Sequence, residues 1–197
     1  MHILENKHIK LRALEPADLD ALFEIENDSA MWNISDTLVP YSRDLLSKYI
    51  EESTKDIFEA KQVRLAISPN GSDELIGLID LFQFEPHHRR AGMGIFVRKD
   101  HQHKGIATQA VDLMTRYAFQ ILGLHQVFAH VPVNNHGSQR LFENSGFAIS
   151  GTLKDWAKDK NGYTDVLIYQ LMNPENPKMK QVQKRKRKSE SLLPFWR

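Results

Sequence analysis

Apolar side chains recur along this chain with two periods. Ile9, Leu11 and Ala13 alternate with Lys10 and Arg12, the period of a half-buried strand. Pro16 then opens a helical stretch carrying Leu19, Leu22, Phe23 and Ile25. Residues 27–41, with Trp32 and Pro40, follow neither period and read as a loop. Ser42 is placed to cap a second helix carrying Leu45, Leu46, Tyr49, Ile50 and Phe58. Residues 63–68 and 75–84 flank a turn at Pro69-Asn70-Gly71 and predict an antiparallel hairpin. A further strand is expected over 90–97. Ile106, Ala110, Leu113, Met114, Tyr117 and Ile121 recur at three and four, predicting a helix over 106–122 that Gly123 ends. A strand over 125–133 and a short helix over 138–145, stopped by Gly146, come next. The last hairpin, 147–157 with 163–171, turns at Asn161-Gly162.

These elements predict one α/β (α+β) domain over residues 1–172, with helices on a mixed, mostly antiparallel sheet. The strand–helix–strand unit over 90–133 is expected to be a parallel crossover, the natural place for a ligand crevice. Residues 173–197 form a separate basic tail. Its eight Lys/Arg against two Asp/Glu give +6, leaving −5 on the body of a chain whose net charge is +1. The acidic excess lies early: residues 1–60 carry 13 acidic and six basic side chains. That is the balance of solvated helix faces, or of a surface for a small cationic partner. The tail reads as a disordered terminus, with contact to nucleic acid or docking through Leu192, Phe195 and Trp196 as alternatives.

Cysteine is absent, which excludes disulfides, thiolate nucleophiles and Cys-ligated metals or clusters. No apolar run is long enough to span a membrane, and no secretory signal is visible at the N-terminus, so a cytoplasmic address is expected. His87, His88, His101 and His103 lack a partner at metal-ligand spacing, so no metal is expected.

The segment Gln102-His103-Lys104-Gly105-Ile106-Ala107-Thr108 joins a strand to the N-terminus of the long helix. Helix N-termini present unpaired N–H groups and partial positive charge. Gly105 permits a tight turn, Lys104 adds charge and Thr108 a hydroxyl. Together they suit a pyrophosphate, although neither a Walker loop nor a dinucleotide fingerprint is present. The bland alternative is an ordinary strand-to-helix connection.

Q-x-x-G-x-A at this place resembles the acetyl-CoA loop of the GNAT N-acetyltransferases. Asn135-His136-Gly137-Ser138, followed by Leu141, Phe142, Gly146 and Phe147, is similar to the N-x-x-S…GF helix of that superfamily. His88-Arg89-Arg90-Ala91 is similar to the spermidine/diamine acetyltransferases. Gly151…Lys154-Asp155…Asn161-Gly162…Asp165 is similar to the Rim-type ribosomal-protein N-terminal acetyltransferases. The resemblance covers residues 8–172.

It implies a twisted sheet with a splayed parallel strand pair and helices on both faces. Acetyl-CoA would lie along Ile95, Phe96 and Val97, along residues 102–108, and against Asn135, Ser138 and Phe142. Gly92 and Gly94 suit either the bulge that a splay requires or close packing. An N–H near Phe96 or Val97 would hold the developing oxyanion. Asn135 would bind the pantetheine arm, or simply cap the helix. Many relatives carry a tyrosine as general acid where this chain has Phe142. Ser138, one turn earlier, is the candidate substitute, with a plain helix-surface serine as the alternative. For the base, Asp80 and Asp155 stand at positions acidic in the two kinds of relative. Glu26, Asp28, Asp80 and Glu85 are the candidates to receive a cationic acceptor.

The implied activity is acetyl transfer from acetyl-CoA to a primary amine, polyamine-like or similar. A protein N-terminus is the second reading and a non-enzymatic acyl-CoA-binding module the third. A homo-oligomer is possible; no membrane partner is expected.

Overall fold

The computed structural model describes residues 3–28, 32, 38–53, 55–159 and 162–175. The tail beyond Glu175 and the Asn161 half of the predicted turn lie outside them. Among the described residues seven strands form one sheet: β1 Ile9–Arg12, β2 Val63–Pro69, β3 Gly77–Glu85, β4 Arg90–Val97, β5 Gln126–Pro132, β6 Ala148–Asp159 and β7 Gly162–Met172. Their order is β1-β2-β3-β4-β5-β7-β6. All neighbours are antiparallel except β4 and β5, as predicted for the crossover.

That parallel joint is short. Arg90, Ala91 and Gly92 pair with Gln126, Val127 and Phe128, and the ladder then stops. Beyond it β4 stays with β3 as far as Val97, while β5 stays with β7 as far as Pro132. The sheet is therefore two half-sheets that part where β4 and β5 diverge. In the gap, the facing backbone groups of both strands lack a strand partner.

Alternation along the strands sorts two cores. Leu65, Ile67, Ile79, Leu81, Ala91 and Met93 lie under α4 (Ile106–Gln120) and its buried Ala110, Val111, Leu113 and Met114. On the other face, Ala66 and Leu78 meet Leu22 and Ile25 of α1 (Leu19–Glu26) and Leu46 and Ile50 of α2 (Arg43–Glu52). Helices thus cover both faces. A further helix, α5 (His136–Asn144), packs Phe142 into the α4-side core.

Several expectations are corrected. The Ser42 cap forms, its hydroxyl accepting from the Leu45 N–H at 3.1 Å. However, α2 ends at Glu52, and Phe58 belongs to a separate short helix, α3 (Ile57–Ala60). Asp56 starts that helix by accepting from the Phe58 N–H at 2.6 Å, and Phe58 packs edge-on against Phe84. The long helix stops at Gln120, so Ile121 faces solvent rather than the core. Pro16 lies in a 3-10 turn, Pro16–Asp18, just ahead of α1. The bulge is not at Gly92 or Gly94. It lies on β3 between Phe82 and Glu85, where Gln83 takes φ +49°. Gly92 serves close packing instead: a Cβ there would sit 2.5 Å from the Phe82 ring.

Candidate active site

Among the described residues, two cavities open on β4, one toward the α4 and α5 N-termini and one toward α1. The first, about 420 Å³, lies between the end of β4 and the N-termini of α4 and α5. Ile95, Phe96 and Val97 line it, as do Gln102, His103 and Gly105–Thr108, with Asn135 and Ser138 opposite. Lys104 and Phe142 are absent from its wall.

The loop geometry explains why these residues converge. His103 and Gly105 both adopt left-handed backbone, at φ +60° and +73°, and turn the chain sharply into α4. A Cβ on Gly105 would meet only Gln109, at 3.9 Å, so glycine is needed for conformation while open space stands before it. The amides of Ile106, Ala107 and Thr108 open α4 and have no acceptor within the helix. That makes a built anion cradle. Gln102 contributes differently from expectation: its carboxamide donates to the Val97 carbonyl at 2.8 Å and pins the loop to β4.

On α5, the Asn135 side-chain oxygen accepts from the Ser138 N–H at 3.1 Å. The capping role is realised, and the amide NH2 remains for the groove. Ser138 is half-buried on the groove wall. Phe142 points the other way, 4% exposed, against Phe147 and Tyr169. The Tyr169 hydroxyl donates to Glu143 at 2.9 Å. Burial, and then that hydrogen bond to a carboxylate, push its pKa up to about 12. Arg140 and His101 also line the groove and were not anticipated. Their signal was available: Arg140 is two residues past Ser138, and His101 sits just before the loop.

The second cavity, about 400 Å³, lies on the α1 side of β2–β4. Ile25, Phe82, Gly94 and Phe96 shape it, and its charged lining among the described residues is Glu26, Arg64 and Asp80. Arg64 stands across the ladder from Asp80. Its Nε donates to Asp80 Oδ1 at 2.5 Å, Nη2 to Oδ2 at 3.3 Å, and Nη1 to Glu26. The guanidinium lies 5.6 Å from the Tyr49 ring centre. Burial works against the charge on Arg64. The carboxylates of Asp80 and Glu26 and the Tyr49 phenol outweigh it and raise its pKa above the ordinary arginine value. Arg64 was missed because nothing local marks it.

Of the other candidates, Asp28 follows α1 and Glu85 pairs with Arg90 at 2.9 Å; neither lines either of these two cavities. Asp155 lies on β6 at φ +47°, its N–H donating to Asp165 at 3.0 Å, also outside both cavities. His130 stands beyond the last β4–β5 pair, its ring 5.3 Å from that of Phe128, and desolvation holds its pKa below the usual histidine value. Among the described residues no three His, Asp or Glu side chains cluster as a metal site would require. No helix there is long and apolar enough to cross a membrane.

Ile95 and Phe96 line both cavities, so the two spaces meet at the strand that parts from β5. Residues 8–148 match the model of the acetyltransferase (GNAT) domain family. The chain belongs to the GNAT acetyltransferases. The enzyme is 28% identical over 171 residues to a spermidine N(1)-acetyltransferase of Vibrio cholerae, covering 82% of this chain and 91% of that one. It is 26% identical over 185 residues to a putative ribosomal N-acetyltransferase, YdaF, of Bacillus subtilis, covering 86% and 94%. Its fold superposes on the crystal structure of the Vibrio cholerae spermidine N-acetyltransferase in complex with CoA and spermine, with a TM-score of 0.76. That match has 29% identity and covers 86% of this chain and 98% of the other. A dodecameric structure of the same Vibrio protein matches with a TM-score of 0.72 at 29% identity, covering 86% and 96%. This acetyltransferase uses acetyl-CoA as donor and an amine as acceptor. The groove fits the donor: a glycine-turned helix N-terminus for phosphates and an unpaired strand edge for amides.

Proposed function

We propose that this GNAT enzyme moves the acetyl group to a small cationic primary amine by direct attack within a ternary complex. The observation that carries this reading is the meeting of the two cavities at Ile95 and Phe96, donor on one face of the sheet and carboxylates on the other. Acetyl-CoA would set its pyrophosphate on the α4 amides and add its pantetheine amides to the free edge of β4, as a peptide adds to a sheet. The thioester would then lie at Ile95–Phe96. An N–H of Phe96 or Val97 would face its carbonyl oxygen as negative charge develops.

An alkylamine is mostly protonated at neutral pH, like lysine with its pKa near ~10, and must shed a proton before its nitrogen attacks. Glu26 and Asp80 draw the ammonium into the cavity, and Asp80 collects the proton through water. As the C–S bond breaks, the thiolate takes up a proton. Ser138, on the groove wall, is our candidate to supply it or to hydrogen-bond the sulfur. Asp155, Asp28 and Glu85 have no part in this scheme. The catalytic unit is residues 1–172, with the tail outside it, and the enzyme works as a homo-oligomer.

The test is a panel of diamines, polyamines and peptides with free N-termini, read by thiol release from acetyl-CoA. Turnover on small amines is expected. Turnover confined to peptides would instead establish the N-terminal reading that the ribosomal-type relative represents. Stabilisation by acetyl-CoA without turnover on any acceptor would leave a binding module.

A further inference from the structure

We infer that Arg64 is the specificity-determining residue of the acceptor cavity: it acts as a built-in cation between Glu26 and Asp80 and confines the acceptor to amines with at most one positive charge besides the reacting nitrogen. The inference rests on the small-amine reading above and adds the acceptor's charge class.

The charge count is simple. Two carboxylates and one guanidinium face this cavity from the described residues, leaving one negative charge. Arg64 engages both oxygens of Asp80 and reaches Glu26 with its remaining fork. Its side chain is 27% exposed, with Glu26 at 12% and Asp80 at 23%, so solvent screens the three groups only partly. The Tyr49 ring beside the guanidinium adds a cation-favouring contact and occupies space on that side.

A diamine whose reacting nitrogen is neutral brings one ammonium and balances the cavity. A triamine brings two. The second would enter a neutral cavity next to Arg64, or would have to displace Arg64 from a carboxylate. Both routes cost free energy that the diamine does not spend. A monoamine with an apolar tail leaves the remaining negative charge unmatched. The predicted order is therefore diamine first, with triamine and monoamine below it.

The experiment measures kcat/KM of the full chain for 1,4-diaminobutane, spermidine and butylamine at constant ionic strength. Wild type should favour the diamine. Arg64→Gln should move the spermidine-to-diamine ratio upward by on the order of tenfold, whereas Arg64→Lys keeps the charge and the wild-type order. Glu26→Gln supplies an independent arm should Arg64→Gln not fold. With one carboxylate gone, the butylamine-to-diamine ratio should rise by a similar factor. A wild-type preference for spermidine over the diamine overturns the inference. So do ratios unchanged within about twofold in folded variants that keep their thermal stabilisation by acetyl-CoA. If wild type is stabilised by acetyl-CoA yet releases thiol with none of the three amines, the small-amine reading itself falls, and the inference with it.

Discussion

Six residues of one short segment, Gln102, His103 and Gly105–Thr108, line the donor groove, and what they offer an anion is largely backbone amides. The acceptor cavity beside it takes Glu26 from α1, Arg64 from β2 and Asp80 from β3. One side is a local motif whose chemistry is carried by peptide groups, the other a tertiary assembly whose chemistry is carried by charged side chains. The first can stay constant while the second changes, because replacing Arg64 or Glu26 leaves the loop and the helix N-terminus untouched. One donor can in this way serve many acceptors.

The largest effect should come from disturbing the donor side. Gly105→Asp puts a side chain and a negative charge on a residue at φ +73°, in front of the α4 amides. The backbone penalty is modest for Asp, but the charge opposes the phosphates directly. Thermal stabilisation by acetyl-CoA should vanish in a protein that still folds. A full shift in that variant would move the donor elsewhere.

Ser138→Ala comes next. If the hydroxyl serves the leaving sulfur, kcat should fall by about 10²-fold or more, with a smaller change in the KM for acetyl-CoA. The Asn135 cap would survive, because it uses the Ser138 N–H and not the hydroxyl. Wild-type kcat in this variant would remove Ser138 from the chemistry.

Gly92→Ala tests the acceptor side alone. Its Cβ would press on the Phe82 ring, which lines the acceptor cavity. Overpacking of this kind costs about 1–3 kcal/mol, so the ring must move. The acceptor KM should rise several-fold while stabilisation by acetyl-CoA persists. Loss of both together would mean that the two sides are mechanically one.

Tyr169→Phe should have the smallest effect and touch neither side. Removing one hydrogen bond to Glu143 costs about 1 kcal/mol at neutral pH. The raised pKa of Tyr169, about 12 against an unfolded value near ~10, sets the alkaline behaviour. Its contribution is complete below the unfolded value and is lost as pH climbs through the folded one. The wild-type advantage in urea melts should therefore shrink across that alkaline window. A constant gap between the two proteins would contradict the assignment.

The donor side was legible for the same reason that it is local. A strand, a turn glycine and a helix start follow one another within a dozen residues, and the amides come with the helix. The crossover, the Ser42 cap and the glycine stop at Gly146 were readable on the same grounds. The acceptor side was half-legible. Glu26 and Asp80 were named as carboxylates, but their shared partner depends on the β2–β3 register. The connection from Pro69 to Gly77 is too long for turn type to fix that register. Phe142 shows another limit. A helix pattern locates the residue, but only the packing against Phe147 and Tyr169 shows that it faces away from the groove. The bulge at Gln83 was hidden because no glycine marks it.

Asp155 has a significance of its own at the rim of the sheet. It sits in β6, one of the two edge strands, where the register with β7 slips between Leu153 and Ala157, a second slip after the one between Ile149 and Gly151. With φ at +47°, a conformation that aspartate tolerates better than most residues, it bends the rim strand out of a straight ladder. Lys154 and Asp165 add charge at the same place. A sheet rim that is kinked twice and charged is a poor template for a stray strand, so the irregularity around Asp155 guards this rim of the sheet against edge-to-edge aggregation.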